Sequence, residues 1–109
     1  MDEKFREYDF ANEYFEAKKD KGKIAAGILL DFSKALTEVA KVGTFGIKKY
    51  KRGSWVDVPD AKVRYKDALM RHLLQAAQEP IDTETGISHL AHAAWNILAI
   101  IELDKRETK

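Results

Sequence analysis

Cysteine is absent from all 109 residues, which removes disulfides, thiolate metal sites and a thiol nucleophile together. Proline is scarce: Pro59 and Pro80 are the two, and each lies where a helix should begin or end. No apolar run approaches the roughly 18 residues that a membrane span requires, so no membrane insertion is expected. Strand signals are nearly absent. Charge of neither sign dominates, because 19 Lys and Arg oppose 18 Asp and Glu for a net charge of +1. The opening stretch MDEKFREYDF is too charged for a secretory signal, and with no cysteine an intracellular setting is the simplest expectation. Also missing are a phosphate-binding glycine loop, a dinucleotide fingerprint and a strand-turn-helix serine elbow.

What is present reads as one globular all-α domain. Apolar residues make up 45% and charged residues 34% of the chain, a balance that can bury a core and remain well hydrated. The apolar spacing predicts about four helices. The first, about Glu3–Lys19, carries an aromatic face of Phe5, Tyr8, Tyr14 and Phe15 that either covers its own core or meets another subunit. Asp20–Gly27 reads as a linker. The second helix covers about Leu29–Tyr50, with a bend or break expected near Thr44–Phe45 because Gly43 and Gly46 weaken it. The third runs from about Asp60, a plausible N-cap, to Glu79, with Tyr65, Ala68, Leu69, His72, Leu73 and Ala76 facing inward. The fourth follows Ser88, its expected cap, and reaches about Arg106 with Leu90, Ala94, Ile97, Leu98 and Ile101 as its apolar face. The last two helices should form an antiparallel hairpin in a compact, oligomeric bundle. Basic residues on the third helix (Lys62, Arg64, Lys66, Arg71) are diluted by Asp67 and the apolar stripe, so no nucleic-acid recognition helix is expected.

The most informative stretch is Ile81–Leu103. His89, His92 and Asn96 stand at i, i+3 and i+7 and share one helical stripe. The third histidine, His72, lies on the preceding helix, where the hairpin puts it opposite roughly Asn96 and puts Glu79 near His89. Imidazoles and carboxylates on one seam suit a divalent metal, a nucleotide or only their own hydrogen bonds. Glu38 either points inward, which needs a cation or a partner, or lies exposed as most helical glutamates do. The segment Asp82–Gly86 lacks the length and closing glutamate of a calcium loop and reads as a turn with an Asp- or Thr-based cap. Val39–Val56 holds Lys41, Lys48, Lys49, Lys51 and Arg52 with no acidic residue. Facing the acids near Glu79–Glu84, that block suits a phosphorylated ligand; alternatively it is a solvated helix end. Trp55 either stacks on a base or plugs the edge of the core.

The order of motifs carries a resemblance. DKGK (Asp20–Lys23), EVAKVGTFGIKKY (Glu38–Tyr50), Trp55, RYKDALMRHL (Arg64–Leu73) and IDTETGISHLAHAAWN (Ile81–Asn96) follow one another. Over roughly residues 20–103 this resembles the phage-associated N-terminal domain of dATP/dGTP diphosphohydrolases, with residues 1–19 as an extension. The resemblance implies a nucleotide or nucleotide-derived ligand and hydrolysis of purine deoxynucleoside triphosphates to monophosphate and pyrophosphate. By analogy with all-α pyrophosphohydrolases of the MazG type, it also implies Mg2+ or Mn2+ held by Glu38, Glu79 and Asp82. Glu38, His72 and His92 then become the catalytic candidates. Lys23, Lys48, Lys49, Tyr50, Trp55, Arg71, His89 and Asn96 become the ligand-binding set. The clustered EExxE and ExxD carboxylates of the MazG type are not found here.

Two functions remain open at this level. One is a metal-dependent hydrolase, homo-oligomeric and acting in the cytoplasm of an infected bacterial host. The other is a non-catalytic binding protein that sequesters a nucleotide-derived immune signal as an anti-defence sponge. A structural role with no ligand, in which the histidines are core polar residues, is a third.

Overall fold

A computed structural model describes residues 22–107. The contacts divide the chain into two compact units, Met1–Asp31 and Phe32–Lys109. In the first unit, the described residues enter a short 3₁₀ helix, Ala26–Phe32, that ends at the boundary. The expected helix over residues 3–19, with its aromatic face, lies outside the described residues.

The second unit contains three α-helices: α1 (Ser33–Ile47), α2 (Ala61–Ala76) and α3 (His89–Glu107). A 3₁₀ turn at Ser54–Asp57 lies between α1 and α2. Among the described residues there is no strand, only an isolated antiparallel bridge between Ile81 and Ser88. All-α is therefore the class, with three α-helices described rather than four.

Helix α1 begins later than expected and does not break near Thr44–Phe45. Two local features mark this point of the helix. The Thr44 hydroxyl donates back to the Ala40 carbonyl at 2.9 Å, one turn earlier on the same helix. Gly43 is used for close approach rather than for bending: a Cβ there would lie 3.1 Å from Trp95 Nε1. The helix ends after Ile47, where the Lys48 N–H turns to the Phe45 carbonyl at 3.2 Å.

Helices α2 and α3 form the antiparallel hairpin, and α1 packs against α3. The direction is fixed by side-chain pairs along its length. Lys62 at the start of α2 bridges to Asp104 and Glu107 at the end of α3. Tyr65 meets Trp95 with ring centroids 5.8 Å apart, and His72 meets His89 and His92. Trp55 completes an aromatic cluster with Tyr65 and Trp95, at 6.4 and 6.0 Å. Its backbone carbonyl accepts the Tyr65 hydroxyl.

The caps differ from each other. Ser88 caps α3 as expected, its Oγ accepting the Ala91 N–H at 3.0 Å. Asp60 occupies the N-cap position of α2 without making a side-chain cap, because its backbone is left-handed (φ 53°). Such a backbone does not present the carboxylate to the first-turn N–H groups.

The inward face of α3 also departs from the apolar pattern. Buried positions are His89, Ala91, His92, Ala93, Asn96 and Ala99. Leu90, Ile97, Leu98 and Ile101 are instead 43–62% exposed, and Leu73 on α2 is likewise exposed. Small side chains and flat rings let α3 approach its neighbours closely, so the bulky aliphatics are left on the outer face.

Candidate functional site

The connection at residues 77–88 builds the site. Helix α2 ends in a tightened turn, with the Gln78 and Glu79 N–H groups both reaching the Gln75 carbonyl. Past Pro80 the chain folds back through the Ile81–Ser88 bridge. Within that fold, Asp82 N–H donates to the Ile87 carbonyl at 2.9 Å, and Gly86 N–H donates to the Asp82 carbonyl at 2.7 Å. Gly86 takes a φ of 73°, a left-handed conformation that suits glycine. The expected Asp- and Thr-based caps are both present. Asp82 Oδ1 accepts the Glu84 N–H at 2.8 Å, and Thr85 Oγ1 accepts the Ile87 N–H at 3.2 Å.

The doubled-back loop shifts the hairpin register. His72 is level with His89 and His92, not with Asn96. Its ring stacks on His92 with centroids 4.4 Å apart and planes 8° from parallel. Its Nδ1 lies 3.0 Å from His89 Nδ1, so one nitrogen donates and the other accepts. His92 Nε2 lies 2.8 Å from the Thr85 hydroxyl and 3.9 Å from Asp82 Oδ2. Burial pushes the pKa of His72 and of His92 below 6.5, and Asp82 opposes that shift at both. Both rings are thus neutral near pH 7, each with a nitrogen lone pair available.

Beside these rings is an open concavity of about 560 Å³, lined mainly by polar side chains that include Arg71, His72, Glu79, Asp82, Glu84 and His89. Lys49 reaches its acidic edge, with Nζ 2.9 Å from Glu84 Oε1, so the basic block does meet the acidic turn. A concavity of this size holds a small-molecule ligand. Its polarity suits a charged, hydrated one.

Other sequence candidates lie elsewhere. Glu38 is exposed on α1 and paired with Lys41 at 3.1 Å, so the inward orientation does not hold. Its carboxylate gains water and a lysine there without the cost of burial. Asn96 is buried and donates to the His92 carbonyl at 2.8 Å, an internal bond that occupies its amide. Trp55 takes the packing alternative, with Arg106 over its ring at 5.5 Å, and it does not line the concavity. Lys48 and Tyr50 are exposed just past α1, and Lys23 is exposed in the first unit.

For Mg2+ or Mn2+, Glu79 and Asp82 line one concavity and offer carboxylate oxygens, whereas Glu38 does not line it. Among the described residues, the set whose ligand atoms converge is His72, Asp82 and His92. Sequence reasoning did not single out Thr85 as a site residue. Its place two residues before buried Ile87, in a turn beside the histidine stripe, was the available signal.

Comparison with known proteins turns on a sequence family described as dATP/dGTP diphosphohydrolase, N-terminal, whose model matches residues 15–109. The chain belongs to that family. The diphosphohydrolase-family match begins at residue 15, slightly before the motif resemblance near residue 20. A dATP/dGTP diphosphohydrolase of Salmonella phage PMBT28 is 39% identical over 67 residues, covering 61% of this chain. That stretch is 22% of the phage protein's length, so the chain corresponds to a minor part of that relative. No solved structure matches the chain.

Proposed function

We propose that this chain handles purine deoxynucleoside triphosphates and hydrolyses them between the α and β phosphorus atoms, giving monophosphate and pyrophosphate. The family and the phage relative supply the ligand class. The observation that carries the reading is a single concavity lined by Arg71, His72, His89, Glu79 and Asp82. Phosphoryl transfer needs cations against the phosphate oxygens and a base for the attacking water. Arg71 and Lys49 supply positive charge, and a neutral His72 or His92 accepts the proton. Glu79 and Asp82 would hold Mg2+ or Mn2+, which polarises the phosphate oxygens when bound. Glu38 has no part in this arrangement.

The test is incubation of the purified chain with deoxynucleotides, ribonucleotides and cyclic dinucleotides, with and without Mg2+ or Mn2+. Chromatography then follows both the solution and a denatured aliquot. Metal-dependent conversion of dATP or dGTP to monophosphate and pyrophosphate is the expected outcome. A ligand that leaves solution and returns unaltered on denaturation would replace hydrolysis by capture, the sponge reading. Neither turnover nor binding would remove both.

A homo-oligomer acting in the cytoplasm of an infected bacterial host belongs to the same proposal. The exposed Leu90, Ile97, Leu98 and Ile101 on α3 support self-association. Light scattering coupled to size exclusion tests it: a mass of one chain at all concentrations would remove it.

A further inference from the structure

His72, Asp82 and His92 each bring one possible ligand atom to a common region. A ring nitrogen from each histidine and one Asp82 oxygen lie within 4.8 Å of one another. Two imidazoles with one carboxylate form a donor set for Zn2+, Co2+ or Ni2+, whereas Mg2+ prefers oxygen alone. We infer that these three residues form a binding site for a divalent transition-metal ion, with water or a ligand oxygen completing its coordination. This goes beyond the proposed hydrolysis, because the ion is held without nucleotide and whether or not the chain turns over a triphosphate. While it is bound, His72, His92 and Asp82 are its ligands, so the proposed turnover with Mg2+ or Mn2+ belongs to the chain without it.

Two arrangements support the site. His72 Nδ1 contacts His89 Nδ1 at 3.0 Å. With His72 as donor, its Nε2 carries the lone pair and His89 acts as the outer partner that orients a metal-bound imidazole. Asp82 is pinned by its own turn, with the Glu84 N–H on Oδ1 at 2.8 Å. That leaves Oδ2 as the oxygen 3.9 Å from His92 Nε2.

The geometry also says what loading requires. Ligand atoms around a tetrahedral ion stand about 3.3 Å apart, given metal–nitrogen distances near ~2.0 Å. The three side chains must therefore draw together. Thr85 Oγ1, 2.8 Å from His92 Nε2, is the hydroxyl that an incoming ion displaces from that nitrogen.

The experiment uses the full chain, stripped with a chelator and dialysed without nucleotide against Zn2+, Co2+ or Mg2+. Bound metal is measured by elemental analysis, and Co2+ by its visible absorption. One Zn2+ per chain is expected, with a Co2+ spectrum of mixed nitrogen and oxygen ligation and no stoichiometric Mg2+ retention. Asp82→Asn keeps an oxygen for the Glu84 N–H and should weaken Zn2+ binding at least tenfold. His72→Gln should do the same, and thermal melting of each variant checks that it folds. Absence of stoichiometric Zn2+ in the unmodified chain would overturn the inference. So would Zn2+ affinity unchanged in both folded variants, which would place the ion elsewhere. If dNTP turnover fails while one Zn2+ is retained, the hydrolase reading falls and this site stands.

Discussion

The imidazole of His72 on α2 lies flat against that of His92 on α3, with centroids 4.4 Å apart and planes 8° from parallel. Two rings so placed tolerate neutrality far better than double protonation, since like charges at this separation repel strongly. Burial and mutual proximity hold His72 below 6.5, and burial acts first on His92 also.

A pH dependence of stability follows for the metal-stripped chain. Both folded pKa values are depressed, so the native state binds fewer protons than the unfolded chain once the pH falls below 6.5. The stabilisation is complete above 6.5 and is lost as pH falls toward the lowered folded values. Melting temperature should therefore decline between neutral pH and pH 5. His72→Gln, which removes one of the pair, should flatten that decline. An identical slope in the variant would assign the acid sensitivity to other groups.

Two glycines of α1 should respond oppositely to alanine. At Gly43 a new Cβ would meet Trp95 Nε1 at 3.1 Å, and that indole is held by Trp55 and Tyr65. The overpacking cost of about 1–3 kcal/mol outweighs a helix-propensity gain of about 1 kcal/mol. Gly43→Ala should lower stability by a net ~1 kcal/mol. A Cβ added at Gly46 would meet nothing within 4 Å, so Gly46→Ala should raise stability by about 0.5–1 kcal/mol. Urea unfolding of the pair provides the comparison.

Thr85→Val should cost about 1–3 kcal/mol, the penalty for leaving a buried donor unpaired. The hydroxyl accepts the N–H of buried Ile87 and also contacts His92 Nε2. Thr85→Ser keeps that oxygen and should recover most of the loss. Equal destabilisation by Val and Ser would show that keeping the hydroxyl is not enough to hold the turn.

Lys49 joins the basic end of α1 to Glu84 through an exposed bridge of 2.9 Å. Exposed pairs contribute little to stability, so Lys49→Ala should leave the melting curve unchanged. Under the proposed function it should weaken dNTP affinity, with a larger effect at low ionic strength. Calorimetric titration at two salt concentrations tests both expectations.

Much of the fold was legible because local chemistry wrote it. Ser88, Pro80 and the period of α3 marked the helix start, the turn and the stripe of His89, His92 and Asn96. The register was not legible. Assigning His72 to Asn96 assumed a simple turn, whereas the Ile81–Ser88 bridge folds part of the connection back toward α3. The inward face of α3 was also misread. Hydrophobicity favours burying Leu90 and Ile97, yet close helix approach selects Ala91, Ala93 and Ala99. Gly43 was ambiguous for a related reason: a glycine that breaks a helix and one that admits an indole look alike until the indole is located.

The four polar side chains that make the cluster, His72, Asp82, His89 and His92, all come from one short uninterrupted stretch, residues 72–92. Bringing them together therefore requires closure of a single small loop, whose entropic cost is low and which closes early relative to distant pairings. The chemistry of this molecule is thus portable. The helix–loop–helix segment should retain its arrangement when its supporting helices are replaced by others that hold the same hairpin spacing.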